Sequence, residues 1–491
     1  MKWPWQKKPK TRSFAGAQFN RLTADWIAMN TSVDSEIKGS LPALRARSRQ
    51  LGRDNDYARS LFRDIQVNVV GPGVIFQSQI MKQRGGKLDE EVNYAVESAW
   101  YRWTRKQYCD VAGKLSFSDM ERLAIRSVVE SGEIFFRKVT QMFGGSKVSL
   151  GLEVIESDLV DDNYNGIEPN GNAVRMGVEI NEWGRPVAYH ILKKHPGDYQ
   201  FGMGARQERA RERVRVPANE IIHLFISERP GQTRGVPWAA AAITRLRHMG
   251  GYEEAEVIAA RASAALMGFI ETPEGQLQGD DVDAGQRVSE FEPGVFKQMN
   301  PGEKVNVPNI DRPGGQFDPF MRMMLRGVAA SVGVSYEGIS SDYSQSNYSS
   351  TRQALVSVRD FYKIIQKWMV ENFHQQIFET WLDMATLSGA VSIPKFNLIS
   401  EEIYESCKWQ PRGWAWIDPE KEVAANRDAV AAGFKTHQDV IGDMGGDFYE
   451  VISNRKREEK LIAEAGLKFE TSAQVETLLM KQAPPSGAAK V

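Results

Sequence analysis

A chain of 491 residues with 42% hydrophobic and 25% charged side chains can bury a large core and has room for more than one domain. Its 62 basic and 63 acidic residues leave a net charge of −1, which excludes a polycation built to hold nucleic acid over its whole surface, so any such contact must be local or weak. Cys109 and Cys407 share no metal-ligand spacing and fit a reducing compartment with free thiols, and no run of 18 apolar residues is present to span a bilayer as a helix.

Residues 1–40 read as a flexible basic arm, because MKWPWQKKPKTR lacks the apolar run that would follow in a signal peptide. Over 41–65 the spacing predicts a helix with Leu44, Leu51, Ala58, Leu61, Phe62 and Ile65 available to one side and arginines spread around it. Residues 69–79 read as an extended piece after a Gly-Pro-Gly turn. Helices are predicted over 88–106, acidic at its start and basic at its end, and over 116–131, with Ser118 or Asp119 as its cap. Between 133 and 226 the period falls to two. Strands are predicted over 133–141, 148–157, 173–181, 185–194 and 213–227, with a hairpin turn at 181–186. A β-rich middle flanked by helices makes the fold class α+β.

Residues 236–271 are Ala-rich and helical, with Pro237 at the start and Gly250-Gly251 placed to bend the run. Residues 272–317 are rich in Gly and Pro, with short β-like pieces such as KVNVPNI, and 317–334 is an amphipathic helix. The segment 334–350, VSYEGISSDYSQSNYSS, is hydroxyl-rich, has no Lys or Arg, and carries only Glu337 and Asp342 as charges. Residues 351–388 contain no Pro or Gly and repeat apolar residues at helical spacing, which gives a rod about 57 Å long. Bulky Trp368, Phe373, Phe378 and Trp381 break a coiled-coil heptad, leaving a core spine or a radial strut as the readings. Residues 415–467 read as two or three short helices and 482–491 as disordered.

The chemistry-bearing patterns are few. The sequence holds no G-x-S-x-G elbow, P-loop, H-E-x-x-H or C-x-x-C, so no catalytic residue, cofactor or metal is expected. The histidines 190, 195, 223, 248, 374 and 437 are scattered and read as structural. Glu153, Glu156, Asp158, Asp161 and Asp162 are dense enough to hold Mg²⁺ for a DNA-processing enzyme, though the run reads more simply as a strand leaving into a turn. Residues 206–215 interleave Glu with Arg and lack aromatics, a solvated or neighbour-facing strand. The 334–350 loop on its own is a surface connector. Set on a long rod, its hydroxyls and amides suit brief phosphate contacts without the tight, salt-dependent hold that Lys or Arg would add.

In their joint order, GQTRGVPW at 231–238, the runs 252–270, 335–355 and 413–436, and the stretches 178–198 and 215–225 resemble the portal proteins of tailed bacteriophages, lambda-type branch. The likeness spans about residues 40–467. It implies a ring, usually a dodecamer, at one capsid vertex of the virion, assembled in the bacterial cytoplasm, through which double-stranded DNA passes transiently and without sequence preference. It implies docking of the terminase large subunit and of head-completion or adaptor proteins, contact with major capsid and scaffolding proteins, and neither catalysis nor membrane. It places a wing at 41–235, a first stem helix at 236–270, a clip at 271–317, a second stem helix at 318–333, and a tunnel loop at 334–350. A strut follows at 351–388 and outer-wing and crown-side helices at 389–470; outside the likeness, 471–491 reads from its composition as a disordered tail. The DNA-facing residues would be Ser340, Ser341, Asp342, Tyr343, Ser344, Gln345, Ser346, Asn347 and Tyr348. Arg245, Arg247, Glu253, Glu254 and Glu256 would face the channel or a neighbouring subunit. The competing readings are the metal-dependent enzyme using 153–162 and an adaptor ring that conducts nothing.

Overall fold

The computed structural model describes residues 29–82, 87–198, 212–264, 269–271, 282–283, 286–287, 304–306, 315–345, 347–394, 396–416 and 418–467, with a few single positions before 29. Most of the expected arm, most of the expected clip, part of 206–215 and the tail lie outside these residues.

The helix predicted over 41–65 is two. Helix α1 (Val33–Asp54) begins on Ser32, so residues 33–40 of the expected arm are helical and Pro42 sits inside the helix. Asn55 divides the pair: its backbone is extended (φ −119°, ψ 124°), and its side chain accepts from Ala58 N and caps α2 (Asp56–Val69). An Asn that satisfies a free helix N–H favours a restart over continuation. Strand β1 (Ile75–Ser78) follows, then α3 (Glu90–Trp103) and the single turn α4 (Lys106–Cys109). Helix α5 (Phe117–Ser131) is capped by Ser116, not by Ser118 or Asp119. Asp119 is the third helical residue and its carboxylate returns to the Ser116 N–H, completing a capping box.

Two antiparallel sheets make the β-rich middle. In the first, β2 (Glu133–Val139) lies between β3 (Gly151–Ile155) and β9 (Ile221–Phe225), with Phe135 opposite Ile155 and His223. The second has five strands in sequence order: β4 (Gly166–Ile167), β5 (Ala173–Arg175), β6 (Val178–Ile180), β7 (Pro186–Leu192) and β8 (Arg213–Pro217). Two expected strands are each a pair. Residues 173–181 turn at Met176 and Gly177, both at positive φ, and 213–227 breaks at a 3-10 turn over Ala218–Glu220, which sends β8 and β9 to different sheets. The expected hairpin turn joins β6 to β7, where the Asn181 side chain accepts from the backbone N–H groups of Trp183 and Arg185.

A 3-10 turn (Trp238–Ala241) leads into α6 (Ile243–Ala264), one helix in which Gly250 and Gly251 are interior. Short strands β10 (Phe269–Glu271) and β13 (Lys304–Asn306) pair, as do β11 (Val282–Asp283) and β12 (Gln286–Arg287). Then come α7 (Phe317–Val332), α8 (Tyr336–Ser340) and the long helix, written as α9 (Tyr348–Met369), a π turn (Val370–His374) and α10 (Gln375–Leu387). After α11 (Phe396–Glu405), β14 (Cys407–Gln410) pairs antiparallel with β1. Three capped helices finish the described chain: α12 (Pro419–Ala431), α13 (His437–Asp443) and α14 (Phe448–Glu464).

The main core forms around the second half of the long helix. Phe373, Ile377, Phe378, Trp381 and Leu382 are all buried, against Phe76, Trp100, Trp103 and Phe117. Phe373 stacks on Phe117 with ring centroids 5.5 Å apart, and Trp381 meets Trp100 edge-on at 5.1 Å. The aromatic stripe is therefore core, which is why it ignores the heptad. The last three helices bury none of their residues within this chain. Both cysteines are free; burial pushes the Cys109 thiol up to about 12 and Cys407 to about 11. Among the described residues no helix is long and apolar enough to cross a membrane.

Candidate functional site: the loop before the long helix

Helix α7 ends on Gly333 at φ +86°, and the chain re-enters helix at once: the Ser335 hydroxyl accepts from Gly338 N at 3.0 Å and caps α8. So the segment 334–350 is not loop throughout. Val334 and Ile339 are buried, and the first part packs down as one helical turn. Ser341 ends that turn in the left-handed region at φ +55°, its N–H donating to Glu337 O. Beyond it the chain is exposed at Ser341, Tyr343, Ser344, Gln345 and Asn347. Tyr343 is 63% exposed. Ser346 is outside the described residues, and Tyr348 opens α9.

Three of the expected contact residues, Ser340, Asp342 and Ser344, are already engaged within the chain. The Ser340 hydroxyl donates to Tyr336 O at 2.9 Å and accepts from Asp342 N at 3.1 Å. The Asp342 carboxylate accepts from Tyr336 Oη at 2.8 Å and from Ser344 N at 3.0 Å, and Arg322 Nε lies 3.5 Å away. The Ser344 hydroxyl and amide, then the Tyr336 hydroxyl, hold the Asp342 carboxyl down at about 2, and Arg322 adds to this. A loop with no cation of its own thus has one supplied by α7. The sequence signal was the pair Arg322 and Arg326, one turn apart on α7; Arg326 lies 5.4 Å from the Tyr336 ring.

The five charged residues expected on the first stem helix part company. Arg245, Arg247 and Glu254 are exposed. Arg245 crosses α7 at Gly327, where a Cβ would overlap its guanidinium. Arg247 and Glu254 line an open groove of about 1010 Å³ with Arg47, Gln50, Asp54 and His248. Glu253 turns inward and accepts from Tyr57 Oη at 3.0 Å, and burial pushes its carboxyl up. Glu256 is 5% exposed.

The acidic run is bridged by arginines. Arg49 pairs with Glu156 at 3.1 Å and with Asp158, Arg213 with Asp161 at 2.8 Å, and Arg137 stands 4.0 Å from Glu153. Ligand atoms of Glu156, Asp158 and His195 lie within 4.8 Å of one another, close enough to share a cation, but the Arg49 guanidinium already stands at both carboxylates. Burial pushes the Asp162 carboxyl up, against the pull of Arg234 and Arg45.

One constellation was not read from the sequence. Glu133, at the start of β2, is fully buried and receives Arg45 from α1, Arg234 Nε at 2.7 Å, His223 Nε2 at 2.9 Å and Gly235 N at 2.7 Å. Burial alone would raise its carboxyl; Arg234 and Arg45 together overcome this and hold it well below the usual carboxylate range. Arg234 also donates to the carbonyls of Ser157, Val160 and Met176, tying the five-stranded sheet to the start of the Trp238–Ala264 helical run. Gly235 is obligatory beside it, since a Cβ there would overlap the Gly132 carbonyl. Thr233 donates its N–H and hydroxyl to Asp34 at 2.9 and 2.7 Å. The stretch 231–238 is therefore a junction between elements, buried at Arg234, Gly235 and Pro237.

Charged groups that join elements, a wide aromatic core and a polar tip without Lys or Arg at the head of a long helix are the build of a structural subunit. The chain belongs to the lambda family of phage portal proteins, structural components of the virion: the family's sequence model matches residues 19–366. It is 33% identical over 451 residues to the probable portal protein of Halomonas phage phiHAP-1, covering 90% of this chain and 84% of that one. It is 23% identical over 484 residues to portal protein B of Escherichia phage lambda, covering 92% and 90%. A component of the neck of a native gene transfer agent particle, computed with C12 symmetry, is similar over 81% of this chain and 93% of its own, at 14% identity and a TM-score of 0.44.

Proposed function

We propose that this chain is the subunit of a homo-oligomeric ring, a dodecamer, that conducts double-stranded DNA into and out of a phage head. The family match over residues 19–366 carries the reading. The loop supports it. Ser341, Tyr343 and Gln345 offer hydroxyls and an amide, and the Asp342 carboxylate beside them is engaged by Tyr336, Ser344 and Arg322. Such a surface meets phosphate without the counterion release that makes binding tight. In this reading α6 and α7 are the stem, the loop lines the tunnel, and the long helix carries it. The terminase large subunit and head-completion proteins dock on the ring, and major capsid and scaffolding proteins surround it. The chain performs no catalysis itself.

Deleting residues 341–345 tests the loop's part. Rings are expected to assemble as before while full-length packaging or DNA retention falls. Unchanged packaging by rings of the deletion variant would refute the assignment.

A further inference from the structure

We infer that Arg322 on α7 is the positioning residue of the DNA-facing loop: acting on Asp342 and Ser344, it fixes the loop's stance and cancels its carboxylate. The inference rests on the reading of that loop as DNA-facing and adds a residue outside it.

The geometry is specific. Arg322 Nε donates to Asp318 Oδ1 at 2.8 Å and lies 3.5 Å from Asp342 Oδ2, and an Nη2 hydrogen points to Ser344 Oγ at 3.4 Å. Its side chain is 20% exposed, against 65% for Asp318 and 28% for Asp342, so the guanidinium lies beneath the loop instead of projecting from it. One turn on, Arg326 lies over the Tyr336 ring, and the Tyr336 hydroxyl donates to Asp342 Oδ2, the same oxygen that Arg322 Nε approaches. Asp318 and Asp342 both face the Arg322 guanidinium.

Two consequences follow from Coulomb's law and from side-chain freedom. An unscreened Asp342 repeated around a ring would repel passing phosphates within the Debye length, about 8 Å at physiological salt. A cation placed on the loop itself would cure this but would also bind phosphate. Held on a helix and committed to Asp318, Asp342 and Ser344, Arg322 supplies the neutralising charge without offering a free guanidinium. It also fixes Ser344 and, through Asp342, the exit of the loop from the strained Ser341 turn.

The test uses full-length rings carrying R322Q, D342N, or both, with ring formation followed by electron microscopy and packaged DNA measured per particle. R322Q is expected to assemble and to lower full-length packaging about fivefold, the scale of a partly exposed ion pair. The double variant R322Q/D342N is expected to package more DNA than R322Q alone, because it leaves no unpaired carboxylate on the loop. Added salt should recover R322Q in part, because it screens Asp342, whereas a folding defect would not respond in this way. Parental packaging by R322Q overturns the inference. So does a double variant no better than R322Q, which would place the guanidinium on DNA directly. Should R322Q fail to form rings, the swapped pair R322D/D342R decides: restored rings uphold the pairing, and continued failure to assemble overturns it. A 341–345 deletion that packages normally removes the DNA-facing reading itself, whereas a harmful deletion beside a silent R322Q removes only the role of Arg322.

Discussion

Arg234 Nε donates to Glu133 Oε1 at 2.7 Å, and both side chains are fully buried. The pair is the centre of a junction reached by α1 through Arg45, by β9 through His223, by the five-stranded sheet through the Met176 carbonyl, and by the segment after β3 through the Ser157 and Val160 carbonyls. Such ion pairs add little net stability over apolar packing, but breaking one strands a charge in the interior.

Replacing Arg234 with Ala should therefore cost about 3–5 kcal/mol. Chemical denaturation of the full chain checks this. The same change at exposed Arg247 is expected to stay within about 0.5 kcal/mol.

The junction also sets an acid limit. Burial lowers the His223 pKa below its ordinary value, so the folded state favours the neutral ring, and the Glu133 carboxyl is held low by Arg234 and Arg45. Both folded values lie below the unfolded ones, about 6.5 and 4.3. Each stabilising contribution is thus present above its unfolded value and is lost as pH falls. Stability should decline as pH falls below about 6.5 and more steeply below about 4.3. His223→Gln should flatten the first part of the decline. A denaturation midpoint unchanged from pH 7 to pH 5 would contradict the assignment.

The π turn has its own lock. His374 Nε2 lies 2.6 Å from Glu121 Oε1 inside the core, and His374 Nδ1 lies 3.2 Å from Met369 O, five residues back. Among the described residues, His374→Ala leaves Glu121 with the Val74 N–H at 3.3–3.4 Å, and it should cost about 3 kcal/mol, read as a lowered Tm.

Incubation with Mg²⁺ or Mn²⁺ should leave supercoiled plasmid intact, because Arg49, Arg137 and Arg213 already pair with the acidic run. Cleavage that disappears in Asp161→Ala/Asp162→Ala would favour a metal-dependent enzyme instead.

Much of this was legible in the sequence, for reasons that differ by element. The long helix and its aromatic face followed from spacing, and the β6–β7 hairpin from Asn181 and Gly184, because these are local patterns. Asn55 and Met176 were misread since an extended Asn and a positive-φ Met leave no mark in apolar periodicity. The Glu133 junction joins residues 45, 133, 223 and 234, and no local pattern links them. Likewise, the absence of Lys and Arg from 334–350 was correct as sequence, but Arg322 lies 20 residues before Asp342 and reaches the loop only through the α7–α8 turn.

Electron microscopy of the purified full-length chain over a range of concentration and salt tests the ring most directly. The account predicts rings with a central channel. Compact monomers under every condition, with no ring at any, would contradict it.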